Sequence, residues 1–480
     1  MTTPMIHANY INQVWVDGDN ALANENPSDL DDVVGHYAVA SVEQVKEAVQ
    51  AARGAFAAWC SSGIQERADL LDRVGNEILS RKEELGRLLS REEGKTLPEG
   101  IGEATRAGHI FKFFGAEVLR SRGELVDSVR RGVSVEITRE PVGVVALVTP
   151  WNFPIAIPAW KVAPALAYGN CVVLKPSETA PGCAWALAEI LHRQGVPPGV
   201  FNLVMGKGDV GEALCRATDV GAISFTGSQA TGARVAQIAA ARQAKVQIEM
   251  GGKNPLVVVD DADLGVAVNC ALQGAYYSTG QRCTASSRFI VTERIHDAFV
   301  TALTTRLAQL KIDDALGPGT DIGPVVDSRQ LAKDLEYIDI GQREGATLAF
   351  GGTTVSRARR GHYLLPALFT DTTPAMRINR EEIFGPVASV VRVKNYEEAL
   401  TVANDTEFGL CAGIVTTSLQ LATHFKRSVR AGMVMINLPT AGVDYHVPFG
   451  GIKGSSYGPR EQGAYAREFY TTVKTVYVLA

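Results

Sequence analysis

Cys283 stands in Gly280-Gln281-Arg282-Cys283-Thr284-Ala285, among small and hydroxyl-bearing residues, at the end of an apolar helix-like run over residues 266–277. Upstream, Glu249 opens the segment Glu249-Met250-Gly251-Gly252-Lys253-Asn254-Pro255. A thiolate attacks carbonyl carbon well, and a separate carboxylate can then activate water against the thioester that forms. The pair suits covalent oxidation of an aldehyde. Arg282 adjoins Cys283, and a neighbouring cation favours the thiolate, so Cys283 is expected to be reactive at neutral pH. The chain has seven cysteines, with no CxxC pair and no histidine spacing that suggests zinc, so no metal is expected. Cys171 and Cys270 sit inside apolar runs and read as core.

These groups need a scaffold, and from about residue 140 the pattern alternates strand and helix. Strands are predicted at 143–150, 170–176, 200–205, 222–226 and 245–249, with helices at 184–194, 210–217 and 230–241. A second series places strands at 255–259 and 288–291 and helices at 262–277 and 296–310. Such alternation makes a parallel sheet wrapped by helices, hence an α/β fold. The N-terminal part reads as helical over 42–59, 66–93 and 101–120. Residues 133–139 and 469–479 have β-branched, strand-like composition outside the alternation.

At 480 residues, 46% apolar and 21% charged, the chain is an ordinary globular sequence of two or three domains. A net charge of −5 gives no reason to expect nucleic acid or an anionic membrane as partner. The first residues lack a secretory pattern, no apolar run approaches the ~20 residues of a membrane span, and the scattered cysteines fit a reducing compartment. A cytoplasmic location is expected.

Seven ordered motifs carry a resemblance: Pro150-Trp151-Asn152-Phe153-Pro154, Lys175-Pro176-Ser177-Glu178, Phe225-Thr226-Gly227-Ser228, Glu249-Met250-Gly251-Gly252-Lys253, Gly280-Gln281-Arg282-Cys283, Glu382-Ile383-Phe384-Gly385-Pro386 and Pro448-Phe449-Gly450-Gly451. With them the chain resembles, nearly end to end, the NAD(P)-dependent aldehyde dehydrogenase superfamily. Within it, the segment from Asn437 to Gly463 looks like the bacterial α-ketoglutaric semialdehyde (2,5-dioxovalerate) dehydrogenases.

The resemblance implies two Rossmann-type parallel-sheet domains plus a β oligomerisation arm. An NAD(P)-binding domain would take residues 1–122 and 142–251, a catalytic domain 252–448, and the arm 123–141 and 449–480. Asn152 would donate to the aldehyde oxygen beside the backbone N–H of Cys283, and Glu249 would activate the deacylating water. Two glycine-rich stretches compete for the cofactor. Gly206-Lys207-Gly208-Asp209-Val210-Gly211 fits GxGxxG, but the superfamily uses Gly227-Ser228-Gln229-Ala230-Thr231-Gly232, at a helix N-terminus suited to a pyrophosphate. Gly208 and Gly211 would then line the adenine end. Lys175, Ser177 and Glu178 would meet the adenosine ribose, with Val148, Trp151 and Phe225 along the groove. Glu382 and Phe384 would hold the nicotinamide side, and Gln330 and Lys333 match positions that reach a ribose. The Glu178 carboxylate accepts from ribose hydroxyls and repels a 2′-phosphate, so NAD is favoured over NADP.

The expected substrate is a small aldehyde bearing a carboxylate, with Arg106 and Arg282 as its anchors and Phe153, Trp160, Tyr277 and Phe449 around its aliphatic part. The loop 439–446 lacks an aromatic at its centre, which disfavours a choline-like cation. Succinic semialdehyde and glyceraldehyde-3-phosphate remain alternative substrates. From different classes, a thiol esterase and a non-catalytic binding protein are the rivals. A homodimer or homotetramer is expected, because a two-stranded ribbon needs a partner surface.

Overall fold

The computed structural model describes residues 5–120 and 123–479; the boundary expected at residue 122 lies outside them. The first large sheet runs Ser456–Tyr457, Lys245–Glu249, Val220–Thr226, Val144–Val148, Cys171–Lys175, Phe201–Leu203, Asn9–Ile11 and Val14–Val16. Its five inner strands are parallel, and the outermost pairings are antiparallel. The central strands Val144–Val148 and Cys171–Lys175 read as near-continuous apolar runs because helices cover both faces. Chain order runs outward from Val144–Val148 in one direction and then resumes on its other side with Val220–Thr226. A crevice opens where the order reverses, beyond the carboxyl ends of these two strands.

The second large sheet runs Thr347–Phe350, Ala367–Thr370, Val387–Val393, Arg288–Thr292, Pro255–Val258, Cys411–Val415 and Met433–Ile436, parallel except for its first pairing. Two small sheets complete the fold. One joins Ile6–His7, Asp29–Val39 and Asn20–Asn26; the other joins Thr471–Leu479, Val133–Pro141 and Glu124–Asp127. Among the described residues no helix is long and apolar enough to cross a membrane.

The alternation expected from residue 140 is present, and the departures have physical causes. The helix read over 66–93 is two helices, Ile64–Ser80 and Lys82–Glu93, broken at Arg81 (φ −104°, ψ 12°). Helix Ala156–Ala167 escaped the pattern because every residue in it is buried and Pro158 and Pro164 read as breakers. Amphipathic periodicity has nothing to report in such a helix. The strands before residue 40 were missed as well; Asn20–Asn26 and Asp29–Val39 carry Asn and Asp residues, which strands usually avoid. Most of the segment 449–470, assigned above to the arm, packs with the first large sheet instead; Phe449 and Ile452 lie against Leu410 and Gly409 beside the second. Ser456–Tyr457 pairs with Lys245–Glu249, and Phe469 and Tyr470 are buried in that domain's core. Of residues 449–479, only Thr471–Leu479 joins the arm sheet.

Candidate active site

Helix Leu264–Ala275 ends two residues before Ser278 (φ 53°, ψ 34°) and Thr279 (φ 57°, ψ 26°), both left-handed. Each such residue costs ~1–3 kcal/mol unless its surroundings hold it. Here they do. Glu99 Oε1 accepts from the Ser278 backbone N–H (2.8 Å) and hydroxyl (2.9 Å), and Thr279 Oγ1 donates to the Gly323 and Pro324 carbonyls. Gly280 (φ 67°) then turns the chain so close to Gly385 that a Cβ would meet its carbonyl oxygen at 2.3 Å. The Val326 N–H donates to Gln281 Oε1, and Asn254 Nδ2 donates to the Cys283 carbonyl at 2.8 Å. The result is a thiol at a fixed point between the two large sheets.

That thiol is not pre-activated by Arg282, contrary to expectation. The guanidinium donates to Glu99 Oε1 (3.1 Å), Ser278 Oγ (2.6 Å) and the Gln273 carbonyl (3.2 Å), so its charge is already matched. Burial pushes the Cys283 thiol up to about 12, and the carboxyls of Glu382, Glu249 and Glu461 act in the same direction.

Asn152 follows strand Val144–Val148, and its Nδ2 donates to the Gln281 carbonyl at 3.0 Å, which aims the amide at the Cys283 turn. Lys95 Nζ donates to the Asn152 carbonyl and to Glu103 Oε2 (2.8 Å), while Glu103 Oε1 receives the Ile155 and Ala156 N–H groups. Glu249 ends strand Lys245–Glu249, is 2% exposed, and accepts from Ser456 Oγ at 2.5 Å. Burial holds its carboxyl well above the usual range, and repulsion from Glu461 adds to the shift. Glu461 itself pairs with buried Lys161.

Three connected cavities meet here. A groove of about 720 Å³ along the first sheet is lined by Val148, Trp151, Lys175, Ser177, Glu178, Gly208, Gly211, Phe225, Gly227 and Ser228. It opens, past Trp151 and Gly227, into a cavity lined by Asn152, Glu249, Cys283, Gln330, Lys333, Glu382 and Phe384. That cavity meets, at Cys283, Trp160 and Phe449, a funnel of about 410 Å³ containing Arg106, Phe153, Tyr277 and Arg282. A dinucleotide fits the first two spaces. Ser228 caps helix Gln229–Ala241, Lys175 Nζ lies 3.4 Å from Glu178 Oε2, and no neighbouring atom lies within 4 Å of a Cβ built on Gly208. Glu382 Oε1 accepts from the Gly252 N–H at 2.9 Å, and Phe384 meets Trp151 edge-on at 5.5 Å. Gly232 is the exception among the expected cofactor residues. It lines none of these spaces, and a Cβ there would meet Met250 Sδ at 2.6 Å, so it serves helix-on-strand packing.

In the funnel, Arg106 donates to the Val443 carbonyl and to Gln462 Oε1 (3.0 Å), and it makes no carboxylate pair among the described residues. Its guanidinium lies 5.7 Å from the Trp160 ring, and Lys95 Nζ lies 3.7 Å from the Phe153 ring. Loop 439–446 does carry an aromatic, Tyr445, but that ring stacks on His109 at 5.6 Å rather than lining the funnel.

Sequence reasoning passed over Glu99, Lys95, Ser456, Lys161 and Glu461. Thr96 and Glu99 form a capping box at the start of helix Leu97–Val118, a legible signature. Its second task, holding the nucleophile turn, has no local signal. Together these groups can add a thiol to a carbonyl, hold the developing oxyanion and bring a base to water, beside a dinucleotide-sized groove.

A model for the aldehyde dehydrogenase family matches residues 15–476. The chain is 43% identical to the α-ketoglutaric semialdehyde dehydrogenase of Bacillus subtilis, covering 100% of this chain and 99% of that one. It is 43% identical to the α-ketoglutarate semialdehyde dehydrogenase of Haloferax volcanii, covering 99% of each. Among solved structures it resembles betaine aldehyde dehydrogenase from Staphylococcus aureus in complex with NAD+, with a TM-score of 0.96, 33% identity, and 98% and 95% of the two chains covered.

Proposed function

The chain belongs to the aldehyde dehydrogenase family, and from that premise we propose that it oxidises α-ketoglutaric semialdehyde to 2-oxoglutarate with NAD(P)+. Cys283 Sγ adds to the aldehyde carbon to give a thiohemiacetal. The Asn152 amide and the Cys283 backbone N–H stabilise the oxyanion, the kind of donor that commonly contributes ~10²–10³ in rate. A nicotinamide held by Glu382, Phe384, Gln330 and Lys333 would supply the acceptor for the hydride that this carbon gives up in becoming a thioester. Glu249 then removes a proton from water, whose oxygen attacks the thioester carbon and frees the carboxylic acid and the thiol. Burial favours the protonated forms of both Cys283 and Glu249, so each serves as nucleophile or base only after losing its proton.

The groove residues Lys175, Ser177 and Glu178 take the adenosine end, and Glu382, Phe384, Gln330 and Lys333 the nicotinamide end. NAD is preferred, because the Glu178 carboxylate would oppose a 2′-phosphate.

One observation carries the substrate class. Arg282 and Lys95 are paired with Glu99 and Glu103, while Arg106 has only neutral hydrogen-bond partners and is reached by the Glu103 and Asp444 charges without an ion pair among the described residues, so it is the funnel-wall cation left to take a further carboxylate. A carboxylate at the far end of the aldehyde would complete it. Cations already lie against Trp160 and Phe153, which discourages a quaternary ammonium from the same rings. The test is a panel of α-ketoglutaric, succinic and glutaric semialdehydes, glyceraldehyde-3-phosphate and betaine aldehyde. The α-ketoglutaric substrate should lead in kcat/KM, and a lead for betaine aldehyde would overturn the reading.

Units of residues 1–122 with 142–251 for the cofactor and 252–448 for catalysis fit this division of labour, with segment 449–470 moved to the cofactor unit. The arm sheet presents Leu125, Val473, Tyr477 and Leu479 to solvent, which supports a homodimer or homotetramer built through it.

A further inference from the structure

Helix Ser328–Arg343 runs behind the loop that carries Glu382 and Phe384, and it presents Asp334, a carboxyl with 0% exposure. Asp334 Oδ1 accepts from Gln330 Nε2 at 2.8 Å, one helical turn earlier. The same Nε2 donates to the Ile383 carbonyl at 2.9 Å. An amide nitrogen has two hydrogens, and both are used on acceptors here. Gln330 Oε1 is therefore turned the other way, toward the cavity that Gln330 lines with Glu382 and Cys283, and it accepts no hydrogen bond among the described residues. The Asp334 carboxyl also lies against Gly385, where a Cβ would come within 2.2 Å of Oδ1. The far side of Gly385 is the place where Gly280 of the nucleophile turn packs.

Asp334 Oδ2 has no hydrogen-bond partner among the described residues. A buried carboxyl with a single hydrogen bond is unfavourable for folding alone, by the desolvation it suffers. Burial pushes it up to about 8, against the pull of the Gln330 hydrogen bond and the Lys333 charge. Neutral or ionised, it offers Gln330 an acceptor.

We propose that Asp334 is a positioning residue for the cofactor: it fixes the donor–acceptor polarity of the Gln330 amide, so that Gln330 presents an acceptor oxygen to a hydroxyl of the nicotinamide-side ribose. This rests on the NAD(P)-dependent reading and adds the group that sets the polarity of its ribose site. Without Asp334 only the Ile383 carbonyl still holds the amide, and a turned amide, whose N–H would face a hydroxyl that otherwise donates, becomes far less costly.

The experiment measures binding of NAD, and of an NAD analogue lacking a hydroxyl on the nicotinamide ribose, to the wild type, Asp334→Leu and Asp334→Asn. Wild type should bind the analogue roughly tenfold more weakly than NAD, the usual scale for one lost hydrogen bond. Asp334→Leu should bind NAD more weakly and lose the discrimination, while Asp334→Asn, which still offers a carbonyl oxygen, should keep it. Cofactor-independent hydrolysis of p-nitrophenyl acetate should persist in both variants, separating a turned amide from a failed fold. If the leucine variant lacks that hydrolysis, Asp334→Ala takes its place in the comparison. Equal discrimination in the wild type and the apolar variant overturns the role of Asp334. Failure of the wild type to bind either nucleotide would overturn the dehydrogenase reading itself.

Discussion

Arg282 donates to Glu99 at 3.1 Å across the left-handed turn that presents Cys283, so the cation nearest the nucleophile in sequence is committed to the backbone rather than to the thiol. Glu99 receives three hydrogen bonds on one oxygen, two from Ser278 and one from Arg282. The turn depends on that carboxylate.

Arg282→Ala should therefore lower kcat about equally for charged and neutral aldehydes, and should slow ester hydrolysis as well. Glu99→Gln should do the same, by roughly tenfold or more, since a charged acceptor is worth ~1.5–3 kcal/mol per bond. A selective rise in KM for acidic aldehydes in Arg282→Ala would instead make it a substrate anchor.

Arg106→Ala should behave in the opposite way. KM for α-ketoglutaric semialdehyde should rise ~10–100-fold, the range of a lost charge-assisted contact, while a neutral aldehyde of equal length changes little. Matching losses on both would mean that Arg106 supports loop 439–446 through the Val443 carbonyl and nothing more.

The free thiol should respond to pH as a buried group does. With Cys283 pushed up to about 12, iodoacetamide should inactivate the cofactor-free enzyme about tenfold faster for each pH unit from 7 to 10, following the thiolate fraction. A rate that levels off below pH 8 would show that another group lowers the thiol.

Cys283→Ala should abolish dehydrogenase and esterase activity together. Glu249→Gln should spare the first turnover and slow deacylation, giving a burst of NADH followed by a slow steady state. Appreciable steady turnover in Cys283→Ala would falsify the covalent route.

Asp334 gives a stability prediction with a definite sign. Its carboxyl is raised from an ordinary value of ~3.9 to about 8, so its contribution is fully present at acid pH and is lost as pH rises through about 8. Relative to Asp334→Asn, the wild type should lose Tm progressively between about pH 4 and pH 8. A Tm difference that is flat over that range would place the carboxyl in a better-solvated setting.

Glu178→Ser should shift the ratio of catalytic efficiencies toward NADP, since a fixed negative charge beside the 2′-phosphate is gone. An unchanged ratio would mean that the groove sets cofactor choice elsewhere, for example at Arg329, which lines the same end.

The residues proposed to meet the reacting atoms were legible because each sits in a short local pattern: Cys283 among small residues, Glu249 just before the Gly251-Gly252 pair, Asn152 before Phe153-Pro154. The parallel strands were legible for the same reason, since burial on both faces writes itself as an apolar run. The supports were not. Glu99 and Cys283 are far apart in sequence, and Ser456 and Glu249 farther still, so nothing within either stretch announces its partner. Arg282 misled because adjacency in sequence says nothing about where a long side chain points. Gly232 misled because a missing side chain serves close packing as readily as it serves a phosphate.

The first large sheet takes its edge strand Ser456–Tyr457 from beyond the whole second sheet, and Ser456 holds Glu249. During synthesis, then, the strands from Pro255–Val258 to Met433–Ile436 leave the ribosome before the sheet begun earlier can be closed. Glu249 lacks its hydrogen-bond partner until Ser456 has been added. A product that stops short of Ser456 therefore lacks both the hydroxyl that holds Glu249 and the strand that covers this sheet edge.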